Sequence, residues 1–184
     1  MTVARELLGC TIALGPCAGR IVEVEAYLGL DDLAAHASRG VTPRTRIIFG
    51  PPGHAYVYLI YGMYECLNLI AEPDGTPGCV LIRALEPVRG VDEMLARRGS
   101  GAQDVLRLLN GPGKLTVGMG ITRAKHLGCD VTKGPLVVEP GDRPIGESEI
   151  GVSPRIGIRQ CADWPLRFFI RDSPFVSRVR IAQP

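Results

Sequence analysis

Residues 19–29, GRIVEVEAYLG, show the alternation of polar and apolar side chains that is typical of a β-strand. Glu23, Glu25 and Tyr27 fall on one face of this strand, and the small apolar residues between them fall on the other, because successive side chains point to opposite sides. The apolar face predicts contact with a hydrophobic core. The acidic face predicts either a solvated surface or one wall of a polar pocket, and the tyrosine beside the carboxylates favours the pocket.

Other strands are predicted along the chain, with short helices between them. Residues 56–71 are predicted to form a hairpin around YGMY, and the next strand, GCVLIRALEP, ends at Pro87. Later strands are expected in PLVVE and RFFI, short helices in ARELLGC, VDEMLARR, QDVLRLL and after NGPGK, and loops over 139–154. This irregular mixture predicts an α+β fold. We expect a single compact domain over residues 1–184, with a curved or partly open antiparallel β-sheet, short helices packed around it and a protruding β-hairpin.

The bulk composition is that of a globular protein. The chain has 184 residues and a formal net charge of +2, which does not by itself indicate a nucleic-acid partner. The N-terminus MTVARELLGC lacks the apolar core of a signal peptide, and no run of residues is long and apolar enough for a membrane span. These features predict a soluble, cytoplasmic protein without a membrane partner.

The six cysteines include no C-x-x-C pair and lie mostly in apolar surroundings. This pattern predicts reduced, buried thiols in a cytosolic protein. His126 and Cys129 are three residues apart, but two further ligands at a suitable spacing are absent. We therefore expect neither a disulfide bond nor a metal site.

Two glutamates and two histidines are candidates for acid–base chemistry. Glu23 and Glu25 place two carboxylates close together, as general acid–base catalysis requires, although a solvated strand face has the same spacing. His36 lies in the apolar context AAH, which favours a half-buried, hydrogen-bonded histidine over a ligand or a base. His54, in the turn PPGHAY, carries less information.

Two basic residues suggest contacts with anions. Arg83 lies in the middle of an apolar strand, so it needs an acceptor if it is buried; a pocket carboxylate such as Glu25, which the pairing would keep ionised, is the obvious one. The segment GPGK, residues 111–114, is not a nucleotide-binding loop, because leucines occupy the positions of the outer glycine and the Ser or Thr. A glycine-rich helix entry with Lys114 can still hold one backbone phosphate.

The predicted hairpin holds four of the five tyrosines, in YVYLIYGMYECLN. Tyr56 and Tyr58 alternate with apolar residues, which suits a strand that fills a core. Tyr61 and Met63 instead flank a glycine at the predicted tip, where side chains point away from a core. Exposed apolar side chains on a rigid tip suggest a wedge, such as one that enters the stacked bases of DNA from the minor groove.

Six motifs occur in order along the chain: EVEAYLG, the AAH of 34–36, TPRTR, YVYLIYGMYECLN, LIRALEP and GPGKL. Together they resemble the alkyladenine (3-methyladenine) DNA glycosylase family, and the resemblance extends from ARELLG to the SPFVS of 173–177. It implies a base-excision-repair enzyme that flips a damaged purine out of double-stranded DNA and hydrolyses its N-glycosidic bond. The damaged purine would be 3-methyladenine or another alkylpurine, with hypoxanthine and etheno-adenine as further candidates.

The same resemblance implies other general properties. It implies one mixed α/β domain without a metal or a cofactor, a monomer, and a cytoplasmic, nucleoid-associated location of bacterial type. Tyr61 matches the residue that takes the place of the flipped nucleotide in the duplex, with Met63 beside it. Glu25 matches the base that activates water for attack on C1′, and Arg83 a residue that helps to position this water.

Further matches concern the base pocket and the DNA backbone. Three residues match the aromatic walls between which the damaged base stacks: Tyr27, His36 and Tyr58. Asn68 matches a residue whose bulk disfavours the 2-amino group of guanine, and Arg44 and Lys114 match contacts to the DNA backbone. For neutral lesions, His36 is the candidate proton donor that remains by elimination. No lyase amine is identified, so the expected product is an intact abasic site.

One residue departs from the family pattern, and two other functions stay open. Glu65 places a negative charge directly after the wedge turn, where an apolar residue is more usual, and is expected to weaken DNA binding. The residues alone also allow a nucleic-acid-binding module without catalysis, which would not need Glu25. They equally allow a hydrolase of free nucleosides or small glycosides that uses Glu23 and Glu25 as an acid–base pair and does not need Tyr61.

Overall fold

The computed structural model describes residues 1–99 and 104–177. Its strands are β1 (Thr11–Leu14), β2 (Cys17–Tyr27), β3 (Ala55–Ile60), β4 (Tyr64–Ile70), β5 (Cys79–Arg89), β6 (Leu136–Glu139), β7 (Ile150–Ser153) and β8 (Arg167–Ile170). Its α-helices are α1 (Thr2–Glu6), α2 (Val91–Arg98), α3 (Pro112–Met119) and α4 (Arg123–His126). Short 3-10 segments occupy His36–Arg39, Arg46–Phe49, Val105–Arg107 and Glu147–Glu149.

All strand pairs are antiparallel, and the sheet curls into a half-barrel. The main path runs β3-β4-β5-β2-β1-β6, and β7 and β8 form a side branch. Strand β5 follows one edge of β2 over its whole length, while β1 and β8 share the other edge. The α+β fold with a curved antiparallel sheet is therefore confirmed.

Strand β2 is the centre of the molecule, and both of its faces are buried. Val22 and Val24 on one face and Glu23 and Glu25 on the other are all fully inaccessible to solvent. Of the two alternatives for the acidic face, the solvated surface is therefore excluded. Arg83 and Arg167 reach Glu23 from the neighbouring strands, and Ser177 reaches it from the segment after β8.

The pairing of β2 with β5 contains three register shifts, and the two on either side of Glu23 compensate each other. Ile21 pairs with Leu85 and Val24 with Ile82, while Val22 and Arg83 have no direct partner between these pairs. Bulges of this kind re-aim side chains locally. Here the irregularity lies beside the guanidinium of Arg83, which reaches the carboxylates of β2.

The hydrophobic core lies between the sheet and the short helices. Helix α3 packs on β4 and β5, and α2 packs on α3. The fully buried side chains at this junction include those of Leu67, Ile82, Met94, Leu115 and Met119. The predicted helix over VDEMLARR and the one after NGPGK are thus confirmed as α2 and α3.

The hairpin of β3 and β4 is pinned by its turn. Ile60 pairs with Tyr64, and the intervening Tyr61 and Gly62 both have positive φ angles, 53° and 68°. Two successive left-handed residues make the tight turn whose twist matches that of the two strands, and glycine adopts this conformation without a steric penalty. The turn therefore holds the side chains on both sides of Gly62 at the tip of the hairpin.

Three elements differ from their predictions. Strand β5 continues past Pro87 to Arg89, because a register shift opposite Gly19 accommodates the proline. The predicted helix over QDVLRLL is only a 3-10 turn at Val105–Arg107, and its first residue lies outside the described residues. The predicted loop over 139–154 contains the short strand β7.

The cysteines and the helices give two further results. All six cysteines are free thiols, of which three are buried (Cys17, Cys66 and Cys79) and three are half-buried. The prediction of buried thiols therefore holds for half of them. Within residues 1–99 and 104–177, no helix has the length and apolar character needed to cross a membrane.

Candidate active site

A cavity of about 320 Å³ opens beside the hairpin, on the side where β2, β3, β4 and β5 meet. Most of its wall comes from five stretches of chain: the end of β2, residues 34–37, the hairpin, the start of β5 and residues 156–158. The lining includes most of the predicted site residues, namely Tyr27, His36, Tyr58, Tyr61, Asn68 and Arg83. The structure therefore brings together residues that are up to 56 positions apart in the chain.

Glu25 lies behind the floor of this cavity and is fully buried. The hydroxyl of Tyr27 donates to its Oε2 at 3.0 Å, and the backbone N–H of Ile156 donates to its Oε1 at 2.7 Å. Nη1 of Arg83 lies 3.1 Å from the same Oε1. These three neighbours line the cavity themselves, so the Glu25 carboxylate lies directly behind its floor.

Arg83 connects this carboxylate to the second one. Its Nε donates to Oε1 of Glu23 at 3.0 Å while its Nη1 contacts Glu25, as the sequence predicted for a buried arginine in an apolar strand. Burial alone lowers the pKa of Arg83, but attraction by Glu25 and Glu23 outweighs it, so the pKa is raised above its ordinary value. The guanidinium therefore stays charged between two carboxylates.

Glu23 is held by a different set of partners. Nε of Arg167 donates to its Oε1 at 2.6 Å, and the N–H of Ser177 donates to its Oε2 at 2.7 Å. The Ser177 hydroxyl also contacts both oxygens, at 2.7 and 2.6 Å. Both oxygens of Glu23 thus accept from at least two donors each, and the hypothesis that Glu23 and Glu25 act as an acid–base pair is not supported by the geometry.

Tyr27 forms the wall of the cavity nearest to Glu25. Burial, and secondly the charge of Glu25, raise the pKa of Tyr27 far above its ordinary value, so its hydroxyl stays protonated and donates to the carboxylate. The guanidinium carbon of Arg155 lies 4.6 Å from the centroid of the Tyr27 ring. The ring is therefore fixed both at its hydroxyl and by the guanidinium.

His36 and two tyrosines make the opposite aromatic wall. Nδ1 of His36 lies 3.0 Å from the hydroxyl of Tyr56, and its ring meets that of Tyr58 edge-on, with the centroids 4.6 Å apart. Burial lowers the pKa of His36 to about 4, and the charges of Arg44 and Arg39 contribute. His36 is therefore a neutral, hydrogen-bonded histidine at pH 7, as its apolar sequence context favoured.

Asn68 is fixed at both ends of its amide. Its Nδ2 donates to the carbonyl of Tyr56 at 3.2 Å, and its Oδ1 is 3.8 Å from Sγ of Cys79, a sulfur donor. The side chain is buried yet contributes to the cavity wall. The Asn68 amide therefore presents a fixed shape to a ligand in the cavity.

The hairpin tip exposes the two predicted wedge residues. The exposed fraction is 80% for Tyr61 and 70% for Met63, and Tyr61 also borders the cavity mouth. Tyr64, at the base of the turn, packs against the start of α3. A Cβ added at Gly113 would lie only 2.9 Å from the Cβ of Tyr64. The absence of a side chain at Gly113 thus allows the hairpin to rest on the helix.

The charged residues around the hairpin have partners of their own. Nζ of Lys114 donates to Oδ1 of Asn110 at 2.7 Å. Burial lowers the pKa of Lys114, and the charges of nearby arginines lower it further. Arg44 lies with its guanidinium carbon 5.5 Å from the ring centroid of Tyr58. The carboxylate of Glu65 accepts from the N–H of Arg123 at 2.8 Å, so it binds the first turn of α4. The predicted contacts of these side chains with DNA stay predictions.

Several residues at the site were not predicted from the sequence. They are Asp32, Arg155, Ile156, Arg167 and Ser177. The rule applied to Arg83, that a buried arginine needs an acceptor, would have flagged Arg167 within RFFI. Asp32 belongs to DDLAAHAS, whose pattern is that of a capped helical turn, and Arg155 directly follows the predicted loop over 139–154; neither burial has a periodic signal.

Groupings of metal ligands give a separate result. In the part of the chain that the structure describes, no three or more His, Cys, Asp and Glu side chains are grouped so that they could hold a metal ion.

The site is thus a largely aromatic cavity with a buried carboxylate behind it and an exposed hairpin tip beside it. Comparison with known proteins agrees: residues 1–174 match the family described as methylpurine-DNA glycosylase (MPG). The chain belongs to this family. The alkyladenine glycosylase resemblance seen in the motifs is therefore confirmed.

Several relatives are similar over nearly the whole chain, each named "Putative 3-methyladenine DNA glycosylase". The protein from Methanoculleus marisnigri is 50% identical over 183 residues, covering 97% of this chain and 93% of the relative. That from Methanocella arvoryzae is 48% identical over 186 residues (97% and 90%), and that from Koribacter versatilis is 45% identical over 182 residues (97% and 88%).

Proposed function

We propose that this protein is a monofunctional DNA glycosylase that removes alkylated purines, 3-methyladenine among them, from double-stranded DNA by hydrolysis. One observation carries the proposal. A buried carboxylate, Glu25, lies behind an aromatic cavity, and a hairpin beside the cavity mouth exposes Tyr61 and Met63. Membership of the methylpurine-DNA glycosylase family supports the same reaction class.

The wedge and the cavity would act together in extruding the nucleotide. Removing a base from the stack costs a few kcal/mol, and less for a damaged or mispaired base. Insertion of Tyr61 into the vacated space offsets part of this cost, because base–aromatic stacking contributes about 1–3 kcal/mol. The walls formed by Tyr27, His36 and Tyr58 would then hold the base by the same interaction.

Glu25 would act on water at the deoxyribose. In the proposed reaction the C1′–N bond breaks and its electrons leave with the base, while water attacks C1′ and transfers a proton to the Glu25 carboxylate. The anionic carboxylate also stabilises the positive charge that develops on the sugar ring. Arg83 would hold Glu25 in place and, from the cavity floor, help to orient the water.

The state of His36 limits which bases leave easily. A histidine with a pKa of about 4 carries almost no proton at pH 7, so it is a poor proton donor to a neutral leaving group. A cationic alkylpurine such as 3-methyladenine leaves as a neutral base and needs no donor. We therefore expect cationic lesions to be removed faster than hypoxanthine, and we do not expect His36 to act as the general acid.

The product would be an intact abasic site. The lining of the cavity contains no lysine, and Nζ of Lys114 is engaged by Asn110. Without an amine at C1′, a covalent imine between protein and sugar cannot form. Borohydride should therefore trap no protein–DNA adduct during turnover.

The proposal is tested with two duplexes, one carrying an alkylated adenine and one carrying hypoxanthine, followed by alkali to cleave abasic sites. Glu25→Gln should lose more than about 100-fold in single-turnover rate, since it removes the proton acceptor. Glu93→Gln, which changes an exposed glutamate on α2, is the matched control and should behave as the wild type. No cleavage by the wild type would refute the glycosylase, and equal cleavage by Glu25→Gln would refute the assigned base.

A further inference from the structure

Asp32 and Arg155 form a bidentate ion pair beside the cavity, with both side chains fully buried. Nη1 of Arg155 lies 2.5 Å from Oδ2 of Asp32, and Nη2 lies 2.8 Å from Oδ1. Neither residue lines the cavity. The pair is therefore not in a position to touch a base in the cavity, and any role must come from the segments of chain that it holds in place.

On one side the pair organises the chain that leads to His36. The N–H groups of Leu28 and Ala34 both donate to the carboxylate of Asp32, each at 3.1 Å, so this side chain closes the loop from 28 to 34. Ala34 and the residues directly after it, including His36, line the cavity. The position of this wall thus depends on where the Asp32 carboxylate lies.

On the other side the pair organises the surroundings of Glu25. Nη1 of Arg155 also donates to the carbonyl of Ala26 at 3.0 Å, and its guanidinium lies against the Tyr27 ring. The next residue, Ile156, donates its N–H to Glu25. A change of about 1 Å at the Arg155 backbone would therefore be transmitted directly to the Glu25 carboxylate.

We propose that the Asp32–Arg155 pair is a positioning device that sets the distance between the wall carrying His36 and the carboxylate of Glu25. The inference rests on the proposed function. Its physical basis is that a buried ion pair gives little net stability compared with apolar residues of similar volume, whereas its fixed geometry aligns the segments it joins. Both residues are positioning residues and make no contact with the reacting atoms.

The test replaces both partners at once, as Asp32→Leu with Arg155→Met, so that no uncompensated charge stays buried. The control is Arg143→Met with Glu149→Leu, which removes another bidentate pair, with contacts of 2.6 and 2.7 Å, from an exposed position. The readouts are the single-turnover excision rate, the affinity for DNA with a tetrahydrofuran abasic analogue, and hydrogen exchange at the Ile156 amide.

For the Asp32/Arg155 double variant, we expect the excision rate to fall by about tenfold or more while the affinity changes less than about twofold. Exchange at Ile156 should accelerate by about tenfold or more, because its acceptor is no longer aligned. The control should change none of these. A folded double variant with wild-type rate and wild-type exchange overturns the inference.

Two further arms keep the test decisive. If the double variant does not fold, Arg155→Lys is used, since lysine keeps the charge but cannot make the forked contact, and the same changes in rate and exchange are expected.

In the wild type the Ile156 amide should be protected, and fast exchange there overturns the inference without any variant. If the wild type excises no base, the proposed function fails, while the exchange measurements still decide whether the pair positions Ile156.

Discussion

Glu23 and Glu25 lie two residues apart on β2 and share Arg83, but their remaining partners differ. Arg83 donates to Glu23 at 3.0 Å and contacts Glu25 at 3.1 Å. Glu23 is additionally bound by Arg167 and Ser177, whereas Glu25 is bound by Tyr27 and the Ile156 amide. Two chemically identical side chains therefore have separate tasks, one in anchoring the site and one in the proposed reaction.

Glu23→Gln is expected to lower the free energy of unfolding by about 3 kcal/mol, because it leaves two buried arginines beside a neutral amide. Denaturation by urea at pH 7 measures this change. Glu86→Gln is the control, since its partner Arg20 is partly exposed, and it should cost less than about 1 kcal/mol. Equal stability of Glu23→Gln and the wild type would contradict the anchoring role.

Tyr61→Ala is expected to slow excision from duplex DNA by about tenfold, since a stacking contact of about 1–3 kcal/mol is lost. Stability should change by less than about 0.5 kcal/mol, because the side chain is exposed. The measurement compares single-turnover rates on duplex and single-stranded substrates. Val152→Ala, at another exposed apolar residue, is the control. An unchanged duplex rate would favour an enzyme that acts on small glycosides.

His36 is expected to make folding sensitive to acid. Its folded-state pKa is about 4 against an ordinary value of 6.5, so the unfolded chain binds this proton more tightly. The stability contributed by neutral His36 is fully present above about pH 6.5 and is lost as the pH falls through about 4. The loss should be on the order of 1 kcal/mol, because the ring is only partly buried.

The measurement compares melting temperatures at pH 7 and pH 5 for the wild type and His36→Asn. The variant should lose less stability on acidification than the wild type. His54→Asn, which changes a partly exposed histidine in a turn, should follow the wild type. If His36→Asn shows the same acid sensitivity as the wild type, the imidazole is not neutral in the folded protein.

Glu65 is expected to have two separable effects, one on the fold and one on DNA binding. Glu65→Leu removes the acceptor of the Arg123 N–H and should cost about 1 kcal/mol, as for loss of a helix cap, whereas Glu65→Gln keeps an acceptor and should cost less. Both changes should steepen the dependence of DNA affinity on salt. An unchanged slope in both variants would show that the carboxylate points away from the DNA.

Most of the residues singled out in the sequence line the cavity, because the local pattern and the side-chain chemistry agreed there. The alternation in GRIVEVEAYLG placed Glu25 and Tyr27 on one face, and the glycine in YGMY placed Tyr61 and Met63 at a tip. Because Arg83 lies among apolar neighbours, it required a carboxylate partner, and the structure supplies two.

The missed features depend on contacts between distant segments. Whether Glu23 was solvated or buried depended on β8, whose pairing with residues 23–25 no local pattern indicates. Asp32 and Arg155 lie outside the predicted strands, and only their pairing across 123 positions explains their burial. Local periodicity does not contain this information.

The contact between Glu23 and Ser177 also has a consequence for synthesis of the chain. These residues are 154 positions apart, and Arg167 contacts Glu23 across 144. Chains are made from the N-terminus, and contacts between distant residues form late. Before residue 177 has emerged from the ribosome, the Glu23 carboxylate on β2 therefore lacks some of its hydrogen-bond partners. The segment around Ser177 would therefore act as the closing step of folding, and a ribosome-bound polypeptide truncated before it should be open to proteolysis even though every residue of the cavity has already been made.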